Sequence, residues 1–272
     1  MSIYRAHVLV STDAESRLRG AEQVIQRLRD ELAKRDLANE IMVAETGNPG
    51  RGVRLPAVLV YPDGVTYQAI SPEDAAIIVE EHLYKGRVVK EFTSQLAPMT
   101  GNIVRLPKAH KHFQEQQKIV LKNCGEINPE VIEEYIAVDG YMALGKALTE
   151  MTPAQTLEEI KASGLRGRGG AGFPTGRKLE FSLGVKAAQK YIVCNADEGE
   201  PGTFKDRLII EDDQHKLIEG MMIAGYCIGA TQGYVYIRGE YALAHARLLK
   251  AIEQAREMGL LGKNIFNSGF DF

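Results

Sequence analysis

Apolar positions in the first ninety-odd residues switch between two periods. Ile3–Val10 alternates as a strand does, whereas Glu15–Asp36 carries Val24, Ile25, Leu28 and Leu32 as one stripe on a heavily charged helix. Ile41–Ala44 and Pro56–Tyr61 read as further strands. Tyr61-Pro-Asp-Gly64 is a turn signal leading into Val65–Ile70, so the last two strands form a hairpin. Ser71-Pro-Glu-Asp74 marks a helix start, with serine as N-cap, proline at the first position and carboxylates in the first turn. That helix runs to about Tyr84 and stops at Gly86.

The pattern then lapses. Residues 93–122 hold Pro98, Gly101, Pro107 and the basic run Lys108-Ala-His-Lys-His112, which reads as a solvated connector. Ile127–Ala162 is helical. Thr152-Pro-Ala-Gln155 makes a capping box there, Leu157 and Ile160 set the buried face, and Ser163-Gly164 ends the helix. Tyr191–Cys194 reads as a short strand buried on both faces. Asp206–Glu211 leads into a helix over Asp213–Ile228, whose stripe of Leu217, Ile218, Met221 and Met222 is core packing. Gly233–Arg238 alternates as a strand, and Tyr241–Met258 is an amphipathic helix stopped at Gly259. Phe270-Asp-Phe272 looks like the start of another strand, and the expectation is that the domain continues beyond it.

Composition narrows the classes. With 44% apolar and 25% charged residues, the 272-residue chain has the make-up of an ordinary globular protein of one large or two smaller domains. A net charge of −3 offers no global field for nucleic acid or a membrane surface. The apolar segment around Met221–Ala230 is too short to span a bilayer. Cys124, Cys194 and Cys227 are widely spaced, form no metal-ligand pattern and read as small buried hydrophobes of a reducing compartment. No metal site is expected of them.

Two loops carry the chemistry. Gly164-Leu-Arg-Gly-Arg-Gly-Gly-Ala-Gly-Phe-Pro-Thr-Gly-Arg-Lys178 gathers glycines with Arg166, Arg168, Arg177 and Lys178, which suits backbone N–H groups approaching a phosphate. Gly167–Gly172 satisfies the dinucleotide pattern G-x-G-x-x-G, but that motif needs a strand before it and a helix opening directly after it. Here a helix precedes it, and Pro174 and Gly176 argue against an immediate helix, so a loop wrapping a mononucleotide is the better reading. In Tyr191-Ile-Val-Cys-Asn-Ala-Asp-Glu-Gly-Glu-Pro-Gly202, three carboxylates would repel phosphate. Asn195, Asp197 and Glu198 suit ribityl or ribose hydroxyls, and Glu200 suits a second sugar or a nicotinamide amide. Phe173 and Phe181 flank the basic loop, where either stacks on an adenine ring or packs in the core.

Together these two runs resemble the NADH- and FMN-binding subunit of respiratory complex I, a module that recurs in NAD-linked hydrogenases and formate dehydrogenases. The likeness continues through Leu217-Ile-Glu-Gly-Met221 and Tyr236-Ile-Arg-Gly-Glu-Tyr241 and covers roughly residues 93–272. It implies FMN held by Gly167, Arg168, Gly169, Gly170, Lys178, Asn195, Asp197 and Glu198. It implies NADH stacked on Phe173 and Phe181 and oriented by Glu200, with hydride passing to the flavin and single electrons onward to iron–sulfur clusters. No side chain need act as acid or base. The family's subunits continue to a second FMN/NADH segment with a Cys-Gly-Glu-Glu motif and a domain holding a four-iron (4Fe-4S) cluster, neither of which this chain contains.

The first part, notably Val60-Tyr-Pro-Asp-Gly64 and Ser71-Pro-Glu-Asp74, resembles the thioredoxin-like ferredoxin module fused to such subunits in hydrogenases. Its two-iron (2Fe-2S) cluster hangs on four cysteines, and the corresponding positions here are Ser11, Ser16, Asn48 and Gly52, so no such cluster is expected. The expected fold class is α/β. It comprises a thioredoxin-like domain (1–92), a linker and helical segment (93–165) and the N-terminal part of a Rossmann-like FMN/NADH-binding domain (166–272). The resemblance implies an NADH dehydrogenase (diaphorase) subunit with a quinone-type acceptor, inactive as this fragment alone. Its partners would be a thioredoxin-like two-iron subunit and a large iron–sulfur subunit. Its place would be the cytoplasm, held peripherally at the inner face of the cell membrane through its complex. The alternative is a non-catalytic assembly or docking protein that keeps both folds.

Overall fold

The computed structural model describes residues 4–49, 53–93 and 117–272. Gly52 and the basic run at 108–112 lie outside the described residues. The fold is mixed α/β, in two compact units, Met1–Asn128 and Pro129–Phe272.

In the first unit, β1 (Ala6–Ser11), β2 (Ile41–Thr46), β3 (Val58–Tyr61) and β4 (Val65–Tyr67) form one sheet in the order β2-β1-β3-β4. β1 runs parallel to β2 and antiparallel to β3, and β3 and β4 make the expected hairpin. This is a thioredoxin-like topology. The helix expected over 15–36 is two, α1 (Ala14–Leu18) and α2 (Ala21–Ala33), because Gly20 takes a left-handed φ of 90° and restarts the chain. Asp13 caps α1 by accepting from the backbone N–H of Glu15 and Ser16. Val24, Leu28 and Leu32 are fully or almost fully buried against Val8, Val60 and Ile78, each burial stabilising by about 1.5–3 kcal/mol. The capping box at Ser71–Asp74 opens α3 (Pro72–Ile77), which widens into a π-helical stretch, Ile78–Tyr84, that helical periodicity does not announce.

The second unit begins with α4 (Ile132–Ala137), α5 (Met142–Glu150) and α6 (Pro153–Ala162), the last opened by the Thr152–Gln155 capping box. Then come α7 (Thr175–Gly184), β5 (Tyr191–Ala196), α8 (Lys205–Asp212), α9 (Gln214–Ile228), β6 (Gln232–Ile237) and α10 (Ala242–Glu257). The helix expected over 213–228 is α9, and the lead into it at 206–211 forms a helix of its own, α8, set off at Asp213, whose φ of −155° and ψ of 47° leave helical space. β5 and β6 are parallel, from Tyr191↔Gln232 to Ala196↔Ile237.

The expectation that β5 is buried on both faces fails. Its inward positions meet α9, while Tyr191, Val193, Tyr234 and Tyr236 are more than half exposed. Among the described residues only one face of this two-stranded sheet is covered, although parallel strands are ordinarily covered on both. Cys124 and Cys227 are buried, Cys194 is half-buried, and all three are free thiols. No helix among the described residues is long and apolar enough to cross a membrane.

Candidate functional site

The glycine-rich loop leaves α6 at Ser163 and is pinched at its base. Gly167 N–H donates to the Phe173 carbonyl at 2.9 Å, and Thr175 N–H donates to Leu165 O at 2.9 Å. The Arg166 guanidinium closes on Gly172 O at 3.1 Å. Directly after the pinch α7 begins, with Pro174 in extended conformation as its N-cap.

This corrects the expectation that Pro174 and Gly176 exclude an immediate helix. Proline before the first turn forfeits an N–H that has no intrahelical acceptor there. Gly176 has a separate reason. A Cβ at that position would stand 2.9 Å from Lys161 Cα and 3.0 Å from Lys161 N, so the glycine lets α7 lie close against α6. The G-x-G-x-x-G run therefore does open a helix, but what precedes it is α6 and not a strand.

Within the loop, Gly170 and Gly172 have φ of 105° and 62°, which L side chains rarely adopt. Gly167 and Gly169 have neither a left-handed φ nor a packing reason. A Cβ at Gly169 meets nothing within 4 Å, and one at Gly167 comes only to 3.6 Å of Phe173 O. Neither φ nor packing requires glycine at these two positions, and glycine there leaves the backbone open to close approach. Arg168 and Lys178 are exposed and make no ion pair among the described residues. The exposed Phe173 and Phe181 rings lie 6.3 Å apart between centroids, and the Arg177 guanidinium sits 5.9 Å from the Phe181 centroid.

The acidic loop leaves the carboxyl end of β5, where ligands bind in open α/β sheets. Asn195 and Asp197 are exposed, and Asn195 Oδ1 accepts from Asp197 N–H at 3.0 Å, which makes an Asx turn. Glu200 is exposed too, its carbonyl held by Thr203. Glu198 is different. It is 3% exposed, and its carboxylate accepts from the N–H groups of Asp206 at 3.1 Å and Arg207 at 3.2 Å, at the N-terminus of α8. The structure therefore spends that carboxylate on the protein, in a helix-capping role the sequence pattern does not reveal. Arg238 and Tyr241, at the end of β6, both donate to the Glu198 carbonyl. Burial, followed by the neighbouring Glu198, raises the Tyr241 hydroxyl above its ordinary range. Neither residue stands out individually in the sequence. A signal is present all the same, because Arg238 is the first residue after a parallel strand.

Among the described residues no hydrogen bond or ion pair joins the glycine-rich loop to the acidic one. What they share is a support: Leu179 of α7, Ile192 of β5 and Leu157 of α6 pack with Cys227 and Ile228 of α9 in one small core. Among the described residues no group of three or more His, Cys, Asp or Glu side chains is placed to hold a metal.

In the first unit, the Ser11 and Ser16 hydroxyls are buried and 2.8 Å apart. Ser16 donates to Asp13 at 2.6 Å, and Ser11 accepts from Ala57 N–H at 2.8 Å. At Asn48, a Cβ at Gly125 would fall 2.7 Å from the carbonyl oxygen and 2.5 Å from Pro49 Cα. At these positions Ser11 and Ser16 are thus engaged in hydrogen bonds within the protein.

Cations on a glycine loop and short acceptors at the carboxyl end of a parallel strand are groups that a nucleotide-binding α/β unit would use. Residues 160–267 match the family model described as the Nuo51 FMN-binding domain, Complex1_51K. The chain is 61% identical over 159 residues to the NADP-reducing hydrogenase subunit HndC of Solidesulfovibrio fructosivorans, covering 58% of this chain and 32% of that one. It is 52% identical over 156 residues to an NADH-quinone oxidoreductase subunit of Rhizobium meliloti (strain 1021), covering 57% and 37%. The chain thus spans about a third of the length of these curated relatives. Among solved structures, an NAD+-reducing [NiFe]-hydrogenase in the air-oxidized state aligns at 23% identity over 94% of this chain and 41% of that one, with a TM-score of 0.42.

Proposed function

We propose that this chain is the cofactor-binding part of an NADH-oxidising flavoprotein subunit, with residues 166–272 holding FMN and NADH. One observation carries the reading. Gly167 and Gly169, which neither a left-handed φ nor internal packing requires, flank the exposed Arg168 inside the segment that matches an FMN-binding domain.

In this reading the N–H groups of Gly167, Gly169 and Gly170 and the cations of Arg168 and Lys178 meet the phosphate. Asn195 and Asp197 accept hydrogen bonds from the ribityl hydroxyls, while Glu198 fixes their loop by capping α8. Phe173 and Phe181 offer aromatic faces to the adenine of NADH, and Glu200 orients it. FMN, when bound, supplies acceptance of a hydride equivalent from nicotinamide and release of single electrons. The side chains bind and orient, and none is required to move a proton.

Residues 1–92 form a docking module without a two-iron cluster, and 93–165 is its connection to the flavin part. The four-iron cluster belongs to sequence this chain does not contain, and the chain alone is inactive. The intact subunit works beside a thioredoxin-like two-iron subunit and a large iron–sulfur subunit, peripherally at the inner face of the cell membrane, and delivers electrons toward a quinone-type acceptor. Purification of the intact subunit with its partners tests this. Stoichiometric FMN and NADH–ferricyanide activity are expected. A flavin-free, inactive complex would overturn the reading in favour of a non-catalytic docking role.

A further inference from the structure

We infer that Arg238 is a positioning residue for the flavin site, holding the acidic loop at the carboxyl end of β5 through the backbone of Glu198. The inference rests on reading that loop as flavin-binding. Its geometric basis is the parallel register. Ala196 pairs with Ile237, so the next residues along the two strands, Asp197 and Arg238, leave the sheet side by side.

From there Arg238 Nη1 donates to Glu198 O at 2.9 Å, and the Tyr241 hydroxyl donates to the same oxygen at 3.3 Å and to Glu198 Oε2 at 3.4 Å. The Glu198 carboxylate accepts from Asp206 and Arg207 on its other side. Glu198 is thereby fastened at both ends, to the end of β6 by its carbonyl and to the start of α8 by its side chain. Its neighbours Asp197, Gly199 and Glu200 are exposed, so the loop has this one buried anchor between Ala196 and Pro201.

The other edge of the guanidinium is held by Glu240, with Nη2 to Oε1 at 3.1 Å and Nε to Oε2 at 3.4 Å. That bidentate grip orients the fork so that Nη1 points at the carbonyl. A lysine could supply one donor to the carbonyl but cannot keep both engagements. The Arg238 side chain is about a third exposed, at 31%, and contributes little to the core, so its loss acts on the loop more than on the unit.

The test uses Arg238→Met and Arg238→Lys in the intact subunit. Cofactor-free protein is titrated with FMN by flavin fluorescence, and its melting and amide exchange at Asp206 and Arg207 are followed without cofactor. The expected result for Arg238→Met is at least about tenfold weaker FMN binding, faster exchange at both amides, and a melting midpoint within about 2 °C of the parent. Arg238→Lys recovers part of the affinity. The inference is overturned if Arg238→Met binds FMN like the parent, if lysine restores nothing, or if the affinity falls only together with a global loss of melting temperature. Should the parent itself bind no FMN, the flavin reading fails and the positioning role falls with it. The exchange measurement then still decides whether Arg238 fastens Glu198, because unchanged exchange in Arg238→Met refutes the fastening on its own.

Discussion

Acidification should destabilise the second unit through His215, by an amount the structure lets us estimate. His215 is 2% exposed, its ring stacked on Tyr135 at 5.6 Å between centroids. Nδ1 meets the Tyr141 hydroxyl at 2.8 Å and Nε2 meets Gln254 Oε1 at 3.2 Å. Because Gln254 Nε2 donates to Glu130 O at 2.9 Å, its oxygen faces the imidazole, so Nε2 carries the proton and Nδ1 accepts from Tyr141. A second proton has to go on Nδ1, against that hydroxyl and without water. Burial therefore pushes the imidazole from an ordinary 6.5 down to about 4.

The unfolded chain binds this proton first. Stability from this group is therefore intact above pH 6.5 and is lost as the pH falls toward 4. At about 1.4 kcal/mol per tenfold change, the span amounts to about 3 kcal/mol. Urea unfolding at a series of pH values should show that loss, and His215→Gln, which cannot titrate, should be less stable at pH 7 but should flatten the difference between pH 7 and pH 4. An equal slope in parent and variant would show that the imidazole is not the titrating group.

Three further outcomes follow from named contacts. Gly176→Ala places a methyl group on the Lys161 backbone and should cost about 1–3 kcal/mol, read as a lower melting midpoint with weakened FMN binding, because the glycine-rich loop is carried between α6 and α7. Arg247 is buried, donating to Glu211 O at 2.8 Å and pairing with Glu130 at 3.2 Å and Asp212 at 3.6 Å. Arg247→Ala removes the buried guanidinium from both carboxylates, Glu130 keeping Lys250 at 3.0 Å, and should lower unfolding free energy by about 3 kcal/mol, measured by urea titration. Lys178→Gln removes an exposed cation that makes no ion pair among the described residues and should weaken FMN binding about tenfold with the melting curve unmoved. A shifted melting curve would mark that lysine as structural instead.

Much of this architecture is local and legible in the chain. The capping boxes at Ser71–Asp74 and Thr152–Gln155, the hairpin at Tyr61–Gly64 and the stripe from Val24 to Leu32 depend on neighbours within a turn or a strand pair. The errors fall where distant contacts decide. Gly176 reads as a helix breaker until Lys161 is seen against it, and Tyr191–Cys194 reads as buried until its covering elements are counted. That Glu198 also caps α8 is not announced by its place in the loop, because it depends on Asp206 and Arg207, eight and nine residues away.

The sequence by itself determined the chemical inventory, a glycine-rich basic loop followed by a short acidic one, because residue type and spacing fix which groups the backbone can offer to a ligand. Only the tertiary structure decided which of those groups are available. Hydrogen bonding sets the Glu198 carboxylate on α8, leaves Asp197, Glu200, Arg168 and Lys178 facing solvent, and brings in Arg238 and Tyr241 from beyond β6, some forty residues away. A carboxylate's role follows from what it touches, and parallel strand pairing sets those contacts over distances that sequence spacing does not encode.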